Sequence, residues 1–194
     1  MKKKINTVLN YNNGKLYFFH GEEYTRYDIS SEKSDNGYPI KIKQGWGLDV
    51  LKIDAALNYG NGKIYLFSDN LYYRFDITSD KIDEGYPLII KQFWQGLTFD
   101  RIDAAINYGN GKIYFFSGTL YSRFDIKSEC VDPGYPLPIK GNWGDVPFES
   151  FDSIFDWNDS EIYIFYQDKY VKFNKNTNLI KKGHPKMISK NWII

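Results

Sequence analysis

Short runs of alternating apolar and polar residues, each closed by a turn signal, dominate the chain. In the run from Leu71 to Ile77, Tyr72, Arg74 and Asp76 fall on one side and Tyr73, Phe75 and Ile77 on the other. That two-residue period predicts a strand. Neither side is plainly solvent-like, which predicts a sheet packed on both faces. Upstream, Asp54 to Asn58 reads as a shorter strand and Lys63 to Phe67 as another. Gly60-Asn61-Gly62, and later Gly109-Asn110-Gly111, predict hairpins, because Asn-Gly tolerates the positive φ of a primed turn. Asp69-Asn70 marks a second tight turn. The stretch from Gly85-Tyr86-Pro87 to Trp94 is less regular. Proline cannot donate to a central ladder, so this stretch reads as an outer edge with room for one helical turn.

The same order of elements recurs four times. Asp54, Asp103 and Asp152 open equivalent stretches 49 residues apart, and Asn6 opens another 48 residues before Asp54. Tyr24, Tyr72, Tyr121 and Tyr170 correspond, as do Arg26, Arg74, Arg123 and Lys172. Trp46, Trp94, Trp143 and Trp192 close the four units. The repeats fill the chain, with blades near 4–50, 51–99, 100–148 and 149–194 and neither linker nor second domain expected. A meander of this kind stacks as a solenoid or closes as a propeller. A solenoid needs atypical capping units, and the first unit here keeps its aromatic strands. Closure covers both terminal faces, so an all-β, four-bladed propeller is the expected fold.

Composition narrows the function. The formal net charge is +1, from 25 basic and 24 acidic residues. That balance argues against affinity built on neutralising nucleic-acid phosphates. The N-terminus, MKKKINTVLNYNNGK, lacks the ~7–15-residue apolar run of a secretory leader, and no stretch approaches the ~20 apolar residues of a membrane span. The expectation is a soluble protein, cytoplasmic or exported by another route. Cys130 is the single cysteine, so no intrachain disulfide can form.

Asp-Ala-Ala, Gly-Lys-Ile-Tyr-Phe-Phe, Tyr-x-Arg-Phe-Asp, Gly-Tyr-Pro and Trp, in that order, resemble the hemopexin repeat. That unit builds hemopexin, the C-terminal domain of matrix metalloproteinases and certain plant seed albumins. The units opened by Asp54 and Asp103 match almost throughout. The first departs at Asn6-Thr7-Val8; the fourth departs at Asp152-Ser153-Ile154, at Ser160 and at His184. The resemblance implies a central channel and a binding role. It implies a calcium or sodium ion held by main-chain carbonyls of Asn6, Asp54, Asp103 and Asp152, with chloride as an alternative occupant of the channel. Val8, Ala56, Ala105 and Ile154 would form a second ring. Family members often tie their first and last blades by a disulfide; here packing must do so.

Other candidates weigh less. Tyr72-x-Arg74 and its equivalents could form a ligand array, but recurrence in every unit favours inter-blade packing, with Arg74 paired to Asp76. The four tryptophans read the same way. His20 and His184 occupy different positions in their repeats, which disfavours bis-histidine haem ligation. No catalytic motif is present. Glu22, Glu23, Glu149 and Glu161 break the repeat symmetry, but nothing in the sequence gathers them for glycoside hydrolysis. A non-catalytic, lectin-like carbohydrate-binding or other small-ligand module is therefore expected. Haem, a polyamine or a protein partner are the alternatives, and a glycosidase stands last. The oligomeric state stays open.

Overall fold

The computed structural model describes residues 4–192. Four five-stranded antiparallel sheets follow one another along the chain. Each begins with an inner strand of four residues: Thr7–Asn10, Ala55–Asn58, Ala104–Asn107 and Ser153–Asp156. Two six-residue strands follow, as in Lys63–Ser68 and Leu71–Asp76. The outer edge is split into two short segments, Lys81–Ile82 and Leu88–Ile89 in the second sheet, and both pair with the third strand. The inner strands of neighbouring sheets touch in the order one–two, two–three, three–four and four–one. The ring is closed, and the fold is a four-bladed β-propeller.

Local chemistry explains the hairpins, with one correction. The loop after the inner strand closes through Tyr59 N–H to the Lys63 carbonyl at 3.0 Å, a longer turn than a two-residue primed hairpin. Positive φ falls on Gly60 and Gly62, not on Asn61. Asn58 Oδ1 accepts the Gly60 N–H at 3.1 Å and sets the turn from its first residue. One helical turn ends blades one, two and four, at Ile42–Trp46, Ile90–Phe93 and Ile188–Asn191. The third blade lacks it. Gly141, at φ 81°, stands where the helix would run and breaks it.

The apolar core lies between blades, in four separate layers. Trp46 packs on Phe75 of the next blade with ring centroids 4.8 Å apart, and Trp94 packs on Phe115 at 4.8 Å. Trp143 reaches Phe173 at 6.0 Å, and Trp192 reaches back to Phe18 at 5.5 Å. Burying a large aromatic against a partner stabilises by a few kcal/mol each, so these residues bind blade to blade. The indole nitrogens of all four are buried without a hydrogen-bond acceptor. Each indole meets a second-strand tyrosine near edge-on, Trp46 on Tyr17 at 80° for example, which suits a weak N–H···π contact.

The Tyr-x-Arg residues also serve packing, but through a different acid from the expected one. Arg74 pairs with Asp83, not Asp76, and its guanidinium lies 4.9 Å over the Tyr86 ring. Asp76 pairs instead with Lys63 at 2.6 Å. The two acids and two bases of each of the first three blades thus cancel locally. Among the described residues no helix is long and apolar enough to cross a membrane.

Candidate functional site

The propeller axis has two ends with different chemistry. At the near mouth, where the inner strands begin, Asn6, Asp54, Asp103 and Asp152 occupy equivalent positions. Their side chains are committed to turns: Asn6 Oδ1 accepts Gly21 N–H, Asp54 accepts Asp69 N–H, Asp103 accepts Gly118 N–H and Asp152 accepts Gln167 N–H. Their own amides donate to the second strand at 2.8 Å. No backbone donor among the described residues reaches their carbonyl oxygens. Four carbonyls without such a donor, on half-buried residues, favour a cation or ordered water.

Ladder phase sets which way the backbone of Val8 turns. Tyr11 N–H donates to Lys15 at the end of the first hairpin, so Leu9 and Thr7 share that phase and Val8 and Asn10 turn their backbone groups the other way. Val8 N–H accordingly leaves its own sheet and donates to Ser153 Oγ at 2.8 Å. Ala56, Ala105 and Ile154 hold the equivalent register positions. Among the described residues, no cluster of three or more His, Cys, Asp or Glu side chains is placed to hold a metal. Any axial ion would depend on main-chain oxygens.

The far mouth, where the inner strands end, was not singled out by sequence. A cavity of about 250 Å³ opens there. Asn10 Nδ2 donates to the Asp156 carbonyl at 2.9 Å, Asn58 to the Asn10 carbonyl at 3.3 Å and Asn107 to the Tyr59 carbonyl at 2.8 Å. Each of these blades therefore clips the one before it through an amide. Blade four has Asp156 at this position and no amide to give. Lys175 supplies the missing donor: its Nζ lies 3.4 Å from the Tyr108 carbonyl and 3.0 Å from Asp156 Oδ1. Lys175 stands where the other blades carry Ile29, Ile77 and Ile126. Burial pushes the Asp156 carboxyl above its ordinary range, and Lys175 opposes that shift. Around this pair the mouth presents Asn12, Asn158, Asp159 and the half-buried Trp157.

The remaining candidates are dispersed. His20 Nε2 lies 2.9 Å from Thr25 Oγ1 in blade one, whereas His184 lies against Tyr170 in blade four, and the two line different hollows. Cys130 is a half-buried free thiol. Glu22 pairs with Lys41, Glu149 with Lys140, and Glu161 approaches Lys181 at 3.9 Å, so these asymmetric glutamates are held apart by separate local partners.

The family model described as Hemopexin matches residues 5–49, 53–98, 102–147 and 151–194. Solved structures with the same fold include the hemopexin fold protein CP4 from cow pea, 23% identical, with a TM-score of 0.81 over 98% of this chain and 96% of that one. The seed albumin LS24 from Lathyrus sativus is 24% identical, with a TM-score of 0.82 over 97% and 94%. A plant lectin with two metal binding sites from Cicer arietinum is 23% identical, with a TM-score of 0.80 over 97% and 95%. No curated protein matches the chain.

Proposed function

We propose, from the premise that this chain belongs to the hemopexin family, that it is a lectin-like binding module without catalytic activity. It would hold a structural cation near one end of its axis and a sugar residue at the other. The observation that carries the sugar reading is the far mouth. Asparagine amides, a carboxylate, an ammonium and an indole converge on a cavity of about 250 Å³. Sugars need donors and acceptors set close together, with an aromatic face for the C–H side of the ring. The lectin from Cicer arietinum with the same fold lends support.

The cation reading rests on the carbonyls of Asn6, Asp54, Asp103 and Asp152, to which no backbone N–H among the described residues donates, with Val8, Ala56, Ala105 and Ile154 behind them. Oxygen-only ligands suit calcium or sodium. Such an ion would tie the four inner strands together and take no part in chemistry. Melting should rise with added calcium or sodium over a chelated, sodium-free sample. Identical melting in all three conditions refutes the ion.

A glycan array followed by calorimetric titration tests the sugar. Binding should weaken by roughly tenfold or more in Trp157→Ala, the loss expected for one aromatic platform. A blank array, with a polyamine or haem titrating instead, would end the sugar reading in favour of those ligands.

A further inference from the structure

Blade four departs from the other three in a second place, on its outer side. Where blade two carries Lys63, Arg74, Asp76, Asp83 and Tyr86, blade four carries Glu161, Lys172, Asn174, Lys181 and His184. The acid that holds the arginine has become a lysine. Lys186 adds a third ammonium at the position of Leu88 and Leu137. Among the described residues no carboxylate pairs with Lys172 or Lys186, and Lys181 meets Glu161 only at 3.9 Å. Lys172 Nζ lies instead over the rings of Tyr163 and Trp157, at 4.8 and 5.5 Å. A cavity of about 230 Å³ opens here against blade one. Among its described lining residues, three ammonium groups face one carboxylate, Glu32. Burial first, and then the same three lysines, lower the pKa of His184.

Trp157 lines both this cavity and the far axial mouth. One indole therefore joins a neutral-to-acidic polar hollow to a basic one. We propose that the two hollows are adjoining subsites for an acidic saccharide. An uncharged sugar unit would sit in the far mouth, and a neighbouring carboxylated unit would place its anion among Lys172, Lys181 and Lys186. This rests on the sugar reading for its axial half only. The chemistry is particular to blade four, because in the other blades the corresponding base is already neutralised by Asp35, Asp83 or Asp132.

The test uses two disaccharides that differ only in a terminal glucuronate or glucose, titrated into the full chain. The acidic one should bind roughly tenfold more tightly, as charge-assisted hydrogen bonds allow. Added salt should shrink that advantage. The charge-reversed variant Lys181→Glu/Lys186→Glu changes two exposed side chains and should abolish the preference for the acidic disaccharide. Free glucuronate, followed at the His184 ring by NMR, should raise the pKa of that imidazole, since a bound anion favours its charged form. Equal affinity for both disaccharides, with His184 unmoved, overturns the inference and spares the axial sugar reading. Movement of His184 by glucuronate, with no affinity for the neutral disaccharide, overturns the axial reading and the linkage with it, leaving a separate anion cavity.

Discussion

Lys175 and Asp156 form a compensated pair, and a double-mutant cycle exposes it. Lys175→Ile restores the side chain found in the other blades but strands a carboxylate at the far mouth. Asp156→Asn restores the amide ring but strands an ammonium whose side chain is only 9% exposed. Breaking a fully buried pair from one side costs about 3–5 kcal/mol. Asp156 keeps 33% of its side-chain surface open to the cavity, so water offsets part of that loss. Each single change should therefore cost roughly 1–3 kcal/mol. The double variant rebuilds the Asn and Ile pattern of blades one to three, and the amide introduced at position 156 is free to donate to the Tyr108 carbonyl. It should lie within about 1 kcal/mol of the parent, giving a coupling of roughly 1–6 kcal/mol. Urea unfolding of all four proteins measures this. The pH dependence adds a sign. A carboxyl raised in the folded state destabilises when ionised, and the loss is recovered as pH falls through its folded pKa. Without Lys175 the Asp156 carboxyl rises further, so Lys175→Ile should approach the parent in stability on acidification. Additive single effects, or a double variant as unstable as their sum, would refute the compensation.

Acid should act on blades unequally. Hydrogen bonds from Lys15, Lys63 and Lys112 are the main cause holding Asp28, Asp76 and Asp125 well below the usual carboxylate range. A depressed folded pKa gives stability that is present above the unfolded value and lost as pH falls below about 4. Hydrogen exchange at pH ~3 should loosen the second and third strands of blades one to three more than those of blade four, which has Asn174 and Lys181 instead; uniform loosening would count against these ion-pair groups. Gly144 has a φ of 55°, and a Cβ there would collide with the Asn178 carbonyl of blade four. Gly144→Ala should lower the urea midpoint by the equivalent of about 2 kcal/mol or more. Gly141→Ala, with open space around its Cβ, should cost less despite its positive φ; equal losses would show that backbone strain alone matters at both sites.

The propeller was legible in the sequence because its signals are periodic. Four tryptophans at fixed spacing can reach one another's blades in only a few topologies, and the aromatic strands leave no polar face for a solenoid cap. The tight turn at Asp69-Asn70 was legible from its residue types, and Asp69 takes a positive φ there. The Arg74 partner was missed because same-strand proximity points to Asp76, whereas the outer edge folds Asp83 back onto the guanidinium. The far mouth was missed for a related reason. Asp156 and Lys175 stand far apart in the chain, and neither belongs to the motifs that mark the repeat. Only the ring geometry shows that one removes a donor and the other replaces it. Aligning the four units column by column would have flagged both positions together: Asn10, Asn58 and Asn107 against Asp156, and Ile29, Ile77 and Ile126 against Lys175.

Blade four both joins the ends of the ring and carries most of the departures from the repeat. It must close the ring without a covalent tie, because Cys130 has no partner cysteine. Closure uses the inner strand and the final corner. Ser153 Oγ accepts Val8 N–H and lies 3.5 Å from Thr7 Oγ1, where blades two and three have Ala55 and Ala104. Trp192 packs against Phe18 and Tyr27 of blade one. A directional hydroxyl bond fixes the register of the seam, and the aromatic layer supplies its energy. The departures on which the proposed ligand chemistry rests, Asp156, Trp157, Lys172, Lys175, Lys181 and His184, gather at or beside the same seam, where Tyr27 and Trp192 also line the basic hollow. Blades two and three repeat each other almost residue for residue, so any site built from them would recur and could not be unique. A single asymmetric site in a pseudo-fourfold ring has to be made where the symmetry fails, and in this chain it fails most in the blade that also joins its ends.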